Sequence, residues 1–178
     1  MKTVARWCLF CSVIFTAGKL SAVLMTPLPV GEITRQANLV LHGIVTSKTC
    51  VRDSDGRIVT RVELAVSEVW KGALSTNSFT IVHGGGQVGH IHQEVSGQVE
   101  YFVGEEVVAF LVINRRGEGV TLGLAQGKFH VWQDKVSGEK FAHNLFHGAT
   151  EKADLRDEKK SARLALKELA REVKEGER

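Results

Sequence analysis

The stretch "RDSDGRIVTRVELAVSEVWKG", residues 52–72, reads as a turn feeding a single β-strand. Asp55-Gly56 supplies residue types that tolerate a positive φ between two strands. From Ile58 onward, Val62, Leu64, Val66 and Trp70 share one parity, while Arg61, Glu63 and Ser67 hold the other. Period two over this length predicts a strand with one face buried and one face in water. Lys71-Gly72 ends it. The run before the turn, 38–51, is apolar and β-branched and then polar, which predicts the strand that pairs with it.

The same reading extends down the chain. Residues 78–83 predict a short third strand, and 90–95 another. Residues 105–113 carry "VVAFLVI", apolar on both parities, so this strand is expected to be central and covered on both faces. Strands follow at 120–124 and 127–133, joined tightly through Ala125-Gln126, and Ser137-Gly138 marks a last hairpin ending near Phe141. Short strands with regular turn signals predict a mainly β domain over 38–147, a small antiparallel barrel or sandwich. Leu64, Val66, Val108, Phe110 and Phe129 are expected in one core. Residues 151–178 differ, with 17 charged side chains and no proline. There Leu155, Ala162, Leu166, Leu169 and Val173 recur at helical spacing, predicting an amphipathic C-terminal helix whose narrow stripe packs on the barrel or takes a partner helix.

The N-terminus reads as a leader. Lys2 and Arg6 precede an apolar run, 7–18, and Ala22 offers a small residue at a cleavage point, so 1–22 is expected to be a signal peptide. An uncleaved anchor is the alternative. Residues 23–37, with Pro27 and Pro29, predict an extended lead-in and a helical turn over 32–37. The leader holds Lys2, Arg6 and Lys19 and no acid, which leaves 20 basic and 20 acidic residues beyond it. A neutral domain exerts no long-range pull on nucleic acid or anionic lipid. The expected location is secreted or periplasmic, without membrane attachment after cleavage and without a nucleic-acid partner. Cys8 and Cys11 leave with the leader, and Cys50 alone forms no intramolecular disulfide, so the domain must stand on its apolar core.

Residues 83–92, "HGGGQVGHIH", invite three readings. His83-Gly84-Gly85-Gly86 has the letters of an esterase oxyanion loop, but the chain contains no G-x-S-x-G nucleophile elbow. His90 and His92 stand two apart, so on a strand both face one side, with Glu94 after them. With His83 they form the alternative reading, a metal-binding barrel holding zinc or iron. The spacing of Gly84 to His90-x-His92 also resembles the first cupin motif. Ser96 and Gly97 then stand where the cupin glutamate belongs, and no proline follows Pro29. The preferred reading is an exposed, glycine-loosened connection with no metal, no cofactor and no catalytic residue. His42 is expected as a hydrogen-bonded residue within its strand, His130 beside Trp132 as packing, and Cys50 as a small buried group rather than a reactive thiol.

"ANLVLHGIVTSKTCVRDSDGRIVTRVELAVSEVWKG", 37–72, resembles the opening of a netrin-like module, the OB-type barrel shared by tissue inhibitors of metalloproteinases and netrin C-terminal domains. "FVGEEVVAFLV" and "GLAQGKF" are similar to its closing strands in exported bacterial proteins, so the likeness spans roughly residues 37–132. It implies an OB-like barrel that binds rather than catalyses. The ligand would be a protein or other extracytoplasmic macromolecule, with extracellular proteases among the candidates. The metalloproteinase inhibitors chelate zinc through a mature N-terminal cysteine. Here the mature end is expected near Val23 with no cysteine beside it, so that mechanism has no residues to rest on.

Overall fold

The alternating run forms β2 (Ile58–Lys71), paired antiparallel along its length with β1 (Leu39–Arg52). In the turn between them, Asp53 Oδ1 accepts the backbone N–H groups of Asp55 and Arg57, both at 2.9 Å. Three register shifts, between Val40 and Leu41, His42 and Gly43, and Val45 and Ser47, bend this long hairpin. The computed structural model describes residues 26–148 and 163–177. The expected leader and its cleavage point lie outside the described residues, as do Leu155 and Ala162 of the tail.

The protein is mainly β. Beyond the first hairpin come β3 (Ser78–Gly84), the small hairpin β4 (Gly86–Val88) and β5 (Ile91–Gln93), then β6 (Glu106–Ile113) and β7 (Gly119–Thr121). A 3-10 turn at Leu124–Gln126 leads to β8 (Lys128–Gln133), β9 (Lys140–His143) and β10 (Leu164–Ala165). Hydrogen-bonded neighbours run β1-β2-β3-β7-β6, and β6 pairs again with β1, so the sheet curls back on itself. Beyond β6 it continues through β8, β9 and β10. The result is a curled eight-stranded sheet and not a closed barrel, where a small barrel or sandwich was expected.

The sheet is mixed, where pure antiparallel pairing was expected. β3 meets β7 in parallel at one partner pair, Ile81 and Gly119, because β6 intervenes and returns the chain to the far edge. Gly119 lets the seam close: a Cβ there would stand 2.8 Å from the Phe79 ring and 3.0 Å from Leu111. The segment predicted as a strand at 120–124 is correspondingly short: β7 ends at Thr121, residues 122–123 turn, and Leu124 opens the 3-10 turn.

The apolar-on-both-parities reading of residues 105–113 holds, and it divides the core in two. Val107, Ala109 and Leu111 face inside the curled sheet with Leu41, Val45, Val62, Leu64, Ile81 and Tyr101. Val108 and Phe110 face outward, against Phe129, Val131, Trp70 and two helices, α1 (Val30–Gln36) and α2 (Leu166–Gly176). The single core expected for Leu64, Val66, Val108, Phe110 and Phe129 is therefore corrected. Successive residues of one strand point to opposite faces, and both faces of β6 are covered.

The helices differ from their predicted bounds. α1 begins at Val30, directly after Pro29, whose carbonyl accepts the N–H groups of Glu32 and Ile33. α2 begins at Leu166, and residues 151–162 of the expected helix lie outside the described residues. Leu164 and Ala165 pair with Ala142 and Phe141 of β9, and this extended pairing sets where the helix starts. Leu169 and Val173 then bury completely, with Leu166 and Ala170 partly buried beside them. Among the described residues no helix is long and apolar enough to cross a membrane.

Candidate functional site

The glycine–histidine stretch is exposed over most of residues 87–92, as the sequence suggested, but His83 to Gly86 are buried or half-buried. His83 and Gly84 end β3, and the remainder folds into the β4–β5 hairpin over one mouth of the curled sheet. Neighbouring backbone compensates the entropy cost of ordering the glycines. The Gly85 N–H donates to the Ile58 carbonyl at 2.9 Å, and the Thr60 hydroxyl donates to the Gly85 carbonyl at 2.7 Å. Under the hairpin lies a cavity of about 320 Å³, whose walls include Lys48, Cys50, Thr60, His83, His92 and Glu100.

Of the alternative metal ligands His83, His90, His92 and Glu94, His90 stands apart from the other three. His83 is buried, while His90, His92 and Glu94 are exposed. His83, His92 and Glu94 line the cavity; His90 stands at the hairpin tip outside it. Among the described residues, no three side chains of His, Cys, Asp or Glu come close enough together to hold a metal ion.

His42 and His130 are packed and hydrogen-bonded. His42 is buried against Trp70, ring centroids 5.6 Å apart, with Nε2 2.7 Å from Glu106 Oε1. His130 Nδ1 lies 3.0 Å from Glu105 Oε1, and its ring stands edge-on to His143 at 5.2 Å. Trp132 stacks on Phe141, and Arg163 lies over both rings at 5.4 Å. Glu105 also takes Lys128 at 2.7 Å, both side chains buried, and the Lys128 ammonium sits 4.8 Å from the centre of the Tyr101 ring. Burial presses the Lys128 ammonium below the ordinary lysine range, and the Glu105 hydrogen bond opposes it.

Burial also lowers the pKa of His83 and of His143, in each case as the largest cause. His83 Nε2 and His143 Nδ1 are both buried without a hydrogen-bond partner among the described residues, so charging either ring is costly. Both groups bind fewer protons folded than unfolded. Stability is therefore full above their unfolded value of about 6.5 and falls as the pH drops through and below it. Denaturant unfolding should accordingly give a lower stability at about pH 5.5 than at about pH 7.5. His83→Gln with His143→Gln should flatten that difference, and an equal slope in the double variant would assign it to other groups.

A second concavity, about 290 Å³, lies on the outer face of β2 and β3. Arg61 on β2 and Val82 on β3 are cross-strand partners there. The β1–β2 turn contributes Asp53 and Arg57, and the β6–β7 turn contributes Arg115, Arg116 and Glu118. Arg116 donates to Ser54 Oγ at 2.6 Å, which ties the two turns together. Arg57 pairs with Asp53 and Asp55, and Arg61 with the buried Glu118, each at 2.8 Å. Arg115 is exposed. This cleft was missed in the sequence, although "RDSDGR" and "NRRGE" are both arginine-bearing turns; only the fold shows that they flank one strand face.

Fold and cleft together define a mainly β protein with a helix-backed sheet and an arginine-lined concavity between two turns. Compared with known proteins, the chain matches no family model, and no curated protein matches it closely enough to count as a relative.

Proposed function

We propose that this chain is an exported, non-catalytic OB-type binding module, similar to netrin-like domains. Its ligand is a protein or other extracytoplasmic macromolecule, held on the outer face of β2 and β3. The observation that carries the reading is the arginine cleft between the two tied turns, since OB barrels take ligands on the face of their second and third strands, between the flanking loops. Guanidinium forks suit carboxylates in bidentate geometry. Among the described residues no aromatic ring lines the cleft, and Asp53 and Glu118 sit within it, which disfavours a single-stranded nucleic acid that needs stacking platforms and a uniformly basic track.

Wild-type protein and the Arg115→Glu/Arg116→Glu variant, both offered as bait to the native extracellular fraction, test the reading. A protein retained by the wild type and lost from the folded variant is the expected result. Identical sets on both baits would remove the cleft from recognition. Stoichiometric zinc or iron in tag-free protein, lost on replacing His90 and His92 with alanine, would turn the reading to the metal-binding alternative.

A further inference from the structure

The arginine cleft adjoins an apolar hollow of about 280 Å³, and Arg57, Val59 and Val82 stand in the walls of both. The pleat of the sheet explains the join. Val59 and Arg61 are two apart on β2, so both project from its outer face. Across the ladder Arg61 partners Val82, and Val59 partners Gly84. Gly84 has no side chain, which lets Val95 close one end of the hollow; a Cβ at 84 would stand 3.1 Å from Val95 Cγ2. Val120 of β7 adds a further wall. Val59, Val82, Val95 and Val120 are only half-buried, and they belong to neither core cluster. Four aliphatic side chains on one sheet face, beside a charged cleft, are thus left partly in water.

The charges of the cleft are unequally satisfied. Arg57 is held by Asp53 and Asp55, and Arg61 by Glu118. Arg115 and Arg116, both exposed, have no carboxylate partner among the described residues. Arg116 is nevertheless ordered. One of its terminal nitrogens donates to the neutral Ser54 Oγ, and its turn is fixed by Asn114 Oδ1, which accepts the N–H groups of Arg116 and Glu118 at 2.8 and 3.0 Å. A guanidinium fixed through one nitrogen keeps further donors for a carboxylate and loses little freedom on binding it. Exposed ion pairs are screened, so acids alone would be held weakly here. Burial of an aliphatic group in the adjoining hollow supplies the second half of the recognition.

We propose that this groove takes an extended protein segment in which Asp or Glu stands next to, or one residue from, Leu, Ile or Val. The inference rests on the cleft as the recognition surface and names the class of ligand it selects. The carboxylate sits on Arg115 and Arg116, and the aliphatic side chain enters the hollow between Val59, Val82, Val95 and Val120. At about 280 Å³ the hollow is just below the usual size of a small-molecule pocket and suits one branched side chain with its backbone. A sulfated polysaccharide or a nucleic acid offers no aliphatic group to fill it. Their repeated anions would also meet Asp53, Asp55 and Glu118 beside the arginines, where like charges repel. A single acid flanked by an aliphatic residue meets the two open guanidiniums and avoids those carboxylates.

The test is an amide NMR titration of the purified protein with three mixtures of end-blocked peptides, flanked at random by Gly, Ser and Ala. One mixture carries Asp or Glu beside Leu, Ile or Val; the second has Asn or Gln for the acid, and the third Ser for the aliphatic residue. The acid–aliphatic mixture should bind about tenfold more tightly than either of the others. Its shifts should centre on Arg61, Val82, Arg116 and Val120. Arg115→Glu/Arg116→Glu should remove the preference for acid, and Val59→Thr/Val82→Thr the preference for the aliphatic residue. If the threonine variant fails to fold, the serine mixture on the wild type decides that half. Equal affinities, a preference for acid without one for the aliphatic residue, or tighter binding of heparin or oligothymidylate in the groove would each overturn the inference. A protein captured through Arg115 and Arg116 but not displaced by the acid–aliphatic mixture would overturn it and spare the cleft as a recognition surface. Peptide shifts lying wholly outside the groove would overturn both.

Discussion

Phe110→Ala is expected to cost about 3–5 kcal/mol of folding stability. Phe110 is fully buried, its ring 5.6 Å from that of Phe129, at the place where β6 meets both β8 and the two helices. Removing the ring leaves a cavity that the sheet on one side and the helices on the other cannot close by local movement. Denaturant unfolding measures the loss directly. A loss below about 1 kcal/mol would mean that this face of β6 is not a core face, and the division of the interior into two clusters would fall with it.

The second large effect is expected at the buried Lys128–Glu105 pair. Glu105→Leu should destabilise the protein by about 3–5 kcal/mol, because it strands the Lys128 ammonium away from water. The two side chains are 8% and 9% exposed, so solvent screens the pair little. What remains for the ammonium is the Glu100 carbonyl and the face of Tyr101. Adding Lys128→Met removes the stranded charge, and the double variant should recover a large part of the loss. If it is no more stable than Glu105→Leu alone, the two charges are not coupled, and the cost lies in the His130 and Phe102 contacts that Glu105 also makes.

These two positions mark how far reading along the chain reaches. Phe110 belongs to a run recognisable from composition alone, since a strand apolar on both parities must be covered on both faces. Which neighbours cover each face was not recognisable, and Leu64 and Phe110 were expected together when they lie on opposite sides of the sheet. Lys128 and Glu105 gave no local sign of pairing: they lie 23 positions apart in the chain, and they meet only because β8 pairs with β6. The tail shows the same division. Its stripe marked Leu166, Leu169 and Val173 as a helical face, while the pairing of Leu164 and Ala165 with β9 moved the start of that helix.

The sequence by itself determined the elements whose cause is local. Period-two alternation made β2, the Asp53–Arg57 turn made the first hairpin, and the apolar run made β6 a covered strand. Tertiary structure alone decided the curl of the sheet, which closes through the single parallel pair of Ile81 and Gly119. It alone set Gly86 against Cys50 and aligned His83 beside them, and it alone brought two arginine-bearing turns to one strand face. The physical reason is common to all of these. Side-chain periodicity specifies which face of a strand is buried, but the partner and the register are settled by which strands pack together across the whole chain, and each of these sites is assembled from segments that only that pairing brings into contact.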